Sequence, residues 1–260
     1  MHFTVSRISG RLLLIAILVS TARGQGLERS VESELNLGRS AARSFEQTVV
    51  ISADPALLSL VDRVAQQLSR NSRSPIPIIA RVIESPEVNV IILAGGHVYI
   101  TSGLVRIAGT ESELAWAIAH GIANVFNDGF KAGLSPKTFL QDRNEAFTNN
   151  STQVFSGGIL GAAIMSISNL NRRSLEEADS LGLEYLDKAG YDPTAAISLF
   201  QKVEAISDAR PKAKDESGRF FIHPPLSQRI KRMESAVRKL RPRDRYIVTS
   251  QEFESVRSRQ

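Results

Sequence analysis

Few side chains in this sequence can do acid–base, nucleophilic or metal chemistry, and they are scattered. Its 260 residues include no cysteine and only four histidines, at positions 2, 97, 120 and 223. His120 stands in the middle of ESELAWAIAHGIANVFNDG, Glu111 to Gly129, and Asn124 follows one helical turn later on the same face. A histidine on such a segment is either a satisfied core residue or a metal ligand. With His97, His223, Glu176 and Glu177 there are enough donors for a zinc ion. None of them stands at the i, i+4 spacing that lets two helical imidazoles share one metal.

The segment that must position His120 is itself well specified. Thr110 and Glu113 form a capping-box pattern, which starts a helix. Leu114, Ala115, Ala117, Ile118, Ala119, Ile122, Ala123, Val125 and Phe126 then leave no solvated stripe, so the helix is expected to be central and buried.

ELAWAIAHGIAN resembles the zinc-binding helix E-L-A-x-x-x-A-H-E-x-A-H of metallopeptidase family forty-eight. That family includes the CAAX prenyl endopeptidase, the mitochondrial inner-membrane stress protease and bacterial periplasmic relatives. In it, two histidines and a glutamate from a later helix hold Zn²⁺, and the glutamate beside the first histidine is the base for the metal-bound water. By this resemblance His120 fills the first ligand position, Gly121 replaces the base and Asn124 replaces the second histidine. The later helix of the family reads R-x-x-E-x-E-A-D-x-x-G. Here Arg172 to Gly182 puts Leu175 at the third-ligand position, with Glu176 one residue away, and Asp179 at the aspartate that supports a metal-binding histidine from behind.

Further matches run along the chain. VNVIILAGGHVYITSGL resembles N-A-F-x-x-P-G-G-x-I-x-V-x-x-G-L, and the resemblance implies a substrate-pairing sheet edge at Gly95, Gly96, His97 and Val98. AGYDP at 189–193 and HPPLSQRI at 223–230 resemble later family segments. The second puts His223 near the metal, although a histidine before proline is also an ordinary helix cap.

The supporting elements follow from local signals. Residues 1–24, with arginines 7 and 11, an apolar run from Leu12 to Val19 and small residues at 22 and 24, are expected to be a secretory signal. Residues 25–260 are then expected to be one exported domain, periplasmic or secreted, without a transmembrane anchor. Gly26–Phe45 is read as a polar helix, and Asp54-Pro55 opens an amphipathic one. Ile78–Ile83, Val88–Leu93 and Val98–Thr101 are read as strands. A loop from Asn127 to Lys137, a helix over 138–147 and a closely packed helix over the small-residue run 156–170 come next. The basic tail, Arg229 to Arg245, is read as a solvated helix face, and Tyr246–Val248 with Phe253 as a short strand and closing helix.

Net charge is +5, and Arg7, Arg11 and Arg23 carry three of those charges, leaving +2 for the exported chain. That is too little to indicate nucleic acid. The expected fold is α+β and mainly helical: a zincin-like domain of the gluzincin type, with a small sheet beside a buried central helix. The expected function is that of a non-catalytic pseudopeptidase, without a cofactor, that binds peptide or unfolded envelope protein. The alternative is an active zinc metalloendopeptidase with a site rebuilt from His120, His223 and Glu176 or Glu177, with His97 as a further candidate ligand.

Overall fold

The computed structural model describes residues 31–131 apart from 33 and 73–75, and residues 164–165, 172–209 and 225–259. The expected signal at 1–24, the helix at 138–147 and His223 lie outside the described residues.

Asp54 caps the first long helix as its sequence demands, accepting from the amides of Ala56 and Leu57, with Pro55 inside the first turn. This helix, α2 (Pro55–Asn71), follows α1 (residues 31–46) and buries Leu57, Leu60, Val61, Val64, Ala65 and Leu68 on one face. Then come β1 (Ile79–Ile83), β2 (Val90–Leu93), a tight turn at Ala94–Gly96, β3 (His97–Thr101) and α3 (Ser102–Ile107). Gly95 and Gly96 have φ of 68° and 82°, a left-handed conformation that a side chain would strain, and so they let β2 fold back onto β3.

The sheet order is β1-β3-β2-β4, with β1 parallel and β2 antiparallel to β3. Fully paired on both sides, β3 is an interior strand. The expected substrate edge at Gly95–Val98 is therefore corrected: Val98 faces Ala80 on one side and Ile92 on the other, and has no free backbone to offer a peptide. β4 (Ile164–Met165) pairs with β2 at Leu93 and Ile92. It is a strand inside the 156–170 run that sequence had assigned to a packed helix.

Val82, Val90, Ile92, Val98 and Ile100 turn one sheet face toward α2 and the central helix α4 (Glu111–Lys131), in the main core. Alternation sends Ile83, Leu93 and Tyr99 to the other face, where Ala41, Ala42 and Phe45 of α1 cover them in a separate small core. α4 runs five residues, 127–131, into the stretch where a loop was expected. Its described core residues, from Leu114 to Ala123, are fully buried.

Three helices complete the frame around α4: α5 (Arg172–Lys188), α6 (Ala195–Ala209) and α7 (Leu226–Val237), with a short α8 (Gln251–Arg257) at the end. Gly182 lets α5 reach the middle of α4, because a Cβ there would lie 3.1 Å from the His120 Cα. The chain then crosses back over α4, with Ile247 bridged to Tyr191 and Ser112 donating its amide to Val248 O.

Candidate functional site

The close approach at Gly182 brings together side chains that the sequence keeps far apart. His120 of α4 and Asp179 of α5 place Nε2 and Oδ1 3.2 Å apart, and both are buried. Arg229 of α7 enters from the third side. Its Nε donates to Asp179 Oδ2 at 2.9 Å, Nη2 donates to Asp179 Oδ1, and the same Nη2 lies 3.1 Å from His120 Nε2. The guanidinium also lies over the Phe200 ring, 4.5 Å from its centroid. Trp116 packs against both Phe200 and His120.

Asn124 completes the group on the α4 side. Its Nδ2 donates to His120 O at 2.8 Å and lies 3.3 Å from His120 Nδ1. A proton on Nε2 suits Asp179 and leaves Nδ1 bare to accept from Asn124; Arg229 Nη2 then stands beside Nε2 as a neighbouring charge and not as its hydrogen-bond donor. Asn124 Oδ1 is buried with no hydrogen-bond partner among the described residues.

The electrostatics follow from dryness. Burial pushes the His120 pKa down more strongly than the Asp179 carboxylate raises it, so the imidazole is neutral. Burial also raises the Asp179 pKa, but the Arg229 charge and the hydrogen bonds from His120 and Arg229 outweigh it and hold the carboxyl at about 2. The cluster is thus one Asp–Arg ion pair with a neutral imidazole laid against it.

The other residues singled out by sequence fall outside this cluster. Leu175 is buried in the main core one turn before Asp179. Glu176 turns to the surface and pairs with Arg232 at 2.7 Å. Gly121 lies on the sheet side of α4, where a Cβ would meet Val90 and Val98 methyls at 3.3 and 3.4 Å. His97 is buried on β3, its Nδ1 has no hydrogen-bond partner among the described residues, and burial lowers its pKa. Arg229 is the residue that sequence reasoning misplaced, on a solvated helix face. It is fully buried because Asp179 needs a counter-charge, and the signal for it was the R-I that closes HPPLSQRI.

The model of peptidase family M48 matches residues 52–237, the larger part of the chain. The chain belongs to peptidase family M48. Its M48 match includes α2, the sheet, α4 and α5 to α7, which are the elements that assemble the His120 cluster. A beta-barrel assembly-enhancing protease of Yersinia pestis is 25% identical over 198 residues, covering 72% of this chain and 41% of that protein. The protein of the same name from Escherichia coli K12 is 21% identical over 252 residues, or 93% of this chain and 50% of that one. The mitochondrial metalloendopeptidase OMA1 of Schizosaccharomyces pombe is 26% identical over 162 residues, covering 59% and 44%. The chain spans about half the length of the curated relatives it matches.

An M48 domain implies zinc, and the described donors do not fit it. A catalytic zinc takes three protein ligands, with nitrogen at about 2.0–2.1 Å. Among the described residues around His120 there is its own imidazole, whose Nε2 faces a guanidinium, and the Asp179 carboxylate, both of whose oxygens accept from that guanidinium. A permanent cation 3.1 Å from the only ring nitrogen aimed at Asp179 repels a second cation. Among the described residues no three histidine, aspartate or glutamate side chains gather in a metal-binding group.

Proposed function

We propose that this M48 protein is an exported, non-hydrolytic member of its family that binds peptide or unfolded protein of the cell envelope, and that it needs no zinc to fold or act. The observation that carries this reading is the buried His120–Asp179–Arg229 cluster, in which Arg229 supplies the positive charge against Asp179 and His120. Gly121 supports it independently. A side chain there meets the Val90 and Val98 methyls and Ile92, an apolar wall that leaves no water for a general base to activate.

The zincin-like arrangement expected from sequence is carried in this reading as a frame without its reaction. His120, Asn124, Asp179 and Arg229 are all buried, so the former site is filled by the chain's own residues, and a ligand binds elsewhere on the molecule. The far end of β1 is already bridged by the 50–52 segment, with Ser52 N donating to Val82 O and Glu84 N to Val50 O, so among the described residues the outer side of Ile79–Arg81 is the backbone edge left for an extended peptide. The bacterial relatives are named for enhancing beta-barrel assembly, which supports an envelope setting. The expected signal at 1–24 supports export.

The test is metal content together with cleavage. Protein purified without chelator or a metal-binding tag is expected to carry far less than one zinc per chain by mass spectrometry. It is also expected to leave unfolded casein intact. About one zinc per chain, with cleavage abolished by a chelator, would replace this reading with that of a working zinc endopeptidase.

A further inference from the structure

The basic tail is the largest unabsorbed feature of the molecule, and its structure differs from the helix face expected of it. α7 stops at Val237. The amides of Arg238, Lys239 and Leu240 close tight turns onto Glu234, Ala236 and Val237, and Pro242 prevents the helix from resuming. RKLRPRDR, Arg238 to Arg245, then runs over the surface as an irregular strap with a net charge of +4, against +5 for the whole chain. All five of its basic residues are exposed.

The strap is held rather than loose. Leu240 packs against the main core at one end. At the other, Ile247 exchanges backbone hydrogen bonds with Gly190 and Asp192, and Val248 O accepts from Ser112. Between these pins Arg243 pairs with Asp187 at 3.2 Å, while Arg238, Lys239, Arg241 and Arg245 have no ion-pair partner among the described residues. Directly after the charges, Ile247 and Val248 expose their apolar side chains at 36% and 45%.

We propose that residues Arg238–Val248 form an electrostatic docking strap for an anionic phospholipid surface. Four unpaired cations on a pinned segment give a concentrated positive field, which attracts a negatively charged leaflet within a Debye length. The adjoining Ile247 and Val248 supply a small apolar wedge for the headgroup boundary. Nucleic acid fits less well, because among the described residues none of the exposed large hydrophobic side chains is aromatic and the one ring in the strap, Tyr246, is half-buried. The strap lies after the His120 cluster in the chain and shares no residue with it. The inference therefore stands apart from the proposed loss of hydrolysis.

The experiment is co-sedimentation of the full chain with vesicles of phosphatidylcholine containing about 30% phosphatidylglycerol, and with pure phosphatidylcholine. The chain is expected to sediment with the anionic vesicles only, and to be released as salt rises from about 0.05 M to about 0.5 M. Replacing Arg238, Lys239, Arg241 and Arg245 by Gln is expected to weaken binding about 100-fold or more without changing thermal unfolding. The double change Ile247→Ser and Val248→Ser retains the charges and is expected to weaken binding only several-fold. Equal binding by the four-Gln variant, or equal binding to neutral vesicles, as an apolar 1–24 segment would give, overturns the proposal. So does displacement from anionic vesicles by a mixed-sequence oligonucleotide at lower phosphate concentration than the vesicles present.

Discussion

α4 carries two buried polar clusters, one at its first turn and one in its middle, and the two are built differently. At its first turn, Glu111 receives both terminal nitrogens of Arg63 at 2.9 Å, the Tyr191 hydroxyl at 3.1 Å and the Ser250 hydroxyl. One helical residue pair on, Glu113 receives Lys202 and the Gly109 amide at 2.6 Å and the Ser198 hydroxyl at 2.7 Å. The cations here reach in from solvent: Arg63 is 38% exposed and Lys202 40%. In the middle of α4, by contrast, His120, Asp179 and Arg229 are all dry. The first arrangement ties α2, α6 and the C-terminal segment to the start of the helix. The second lies wholly in the interior, where the Arg229 charge answers that of Asp179. A polar group that is fully desolvated contributes little net stability, but removing half of it is expensive.

Breaking the dry pair should therefore give the largest effect. Arg229→Met leaves the Asp179 carboxylate buried without its cation, and is expected to cost about 3–5 kcal/mol, a fall in Tm of roughly 10 °C by calorimetry. Asp179→Leu added to it should recover more than half of that loss. If the two losses simply add, Asp179 and Arg229 are not coupled and the account of the cluster is wrong. Gly121→Glu belongs to the same scale, because it drives a carboxylate against Val90, Val98 and Ile92, and should cost about 3 kcal/mol or more. It should restore no hydrolysis, even with Asn124→His beside it, as casein cleavage would reveal.

The wet cluster should be cheaper to break. Glu111→Gln keeps the shape and loses the charge that Arg63 and Ser250 address, for about 1.5–3 kcal/mol in urea unfolding. Its distinguishing mark is local: amides of α8, which Ser250 caps, should exchange faster, whereas those of α5 should not. Arg229→Met should do the reverse.

How far these clusters were visible in the sequence depends on where each partner sits. The Asp54-Pro55 cap, the β2 and β3 strands and the buried α4 are specified by neighbours a few residues away, and were legible. Thr110 does cap Glu113 as expected, at 3.2 Å, but the Glu113 side chain goes to Gly109, Ser198 and Lys202 instead of back to Thr110. Arg229 and Asp179 stand fifty positions apart, and no periodicity reports that one needs the other. The same holds for β3, since its second neighbour β1 is joined to it only across the whole β2 hairpin. A strand's hydrophobicity shows that it is buried, not which of its edges is paired.

Acid titration separates the clusters by window. Glu111 has its pKa lowered from 4.5: burial raises it, but the bonds from Arg63 and Ser250 outweigh that. Asp179 is lowered from 3.8 to about 2. In both cases the folded state binds protons less readily than the unfolded one. The stabilisation is therefore complete above the unfolded pKa and is lost as pH falls through the folded value. Falling pH should erode the Glu111 contribution first, starting near 4.5, and the Asp179 contribution only below 3.8. Each carboxylate gives a slope of at most about 1.4 kcal/mol per pH unit. Glu111→Gln should flatten the upper part of this profile alone.

The smallest expected effect tests whether Gly121 is required by space or merely tolerated. Gly121→Ala removes a glycine from the middle of a helix, which is worth about 1 kcal/mol in favour of the change. The new methyl would sit 3.3 Å from Val90 Cγ1 and 3.4 Å from Val98 Cγ1, close enough that both valines must give by a few tenths of an ångström. Those two terms oppose each other, so the net change should lie within about 1 kcal/mol of zero. A clear gain would mean that the wall has slack and that the glycine is a loss the fold has not repaired. A loss well beyond 1 kcal/mol would mean that α4 sits against the sheet at a distance only glycine permits. In that case the packing of the helix itself excludes any side chain at position 121, which is what the proposed reading of that position requires.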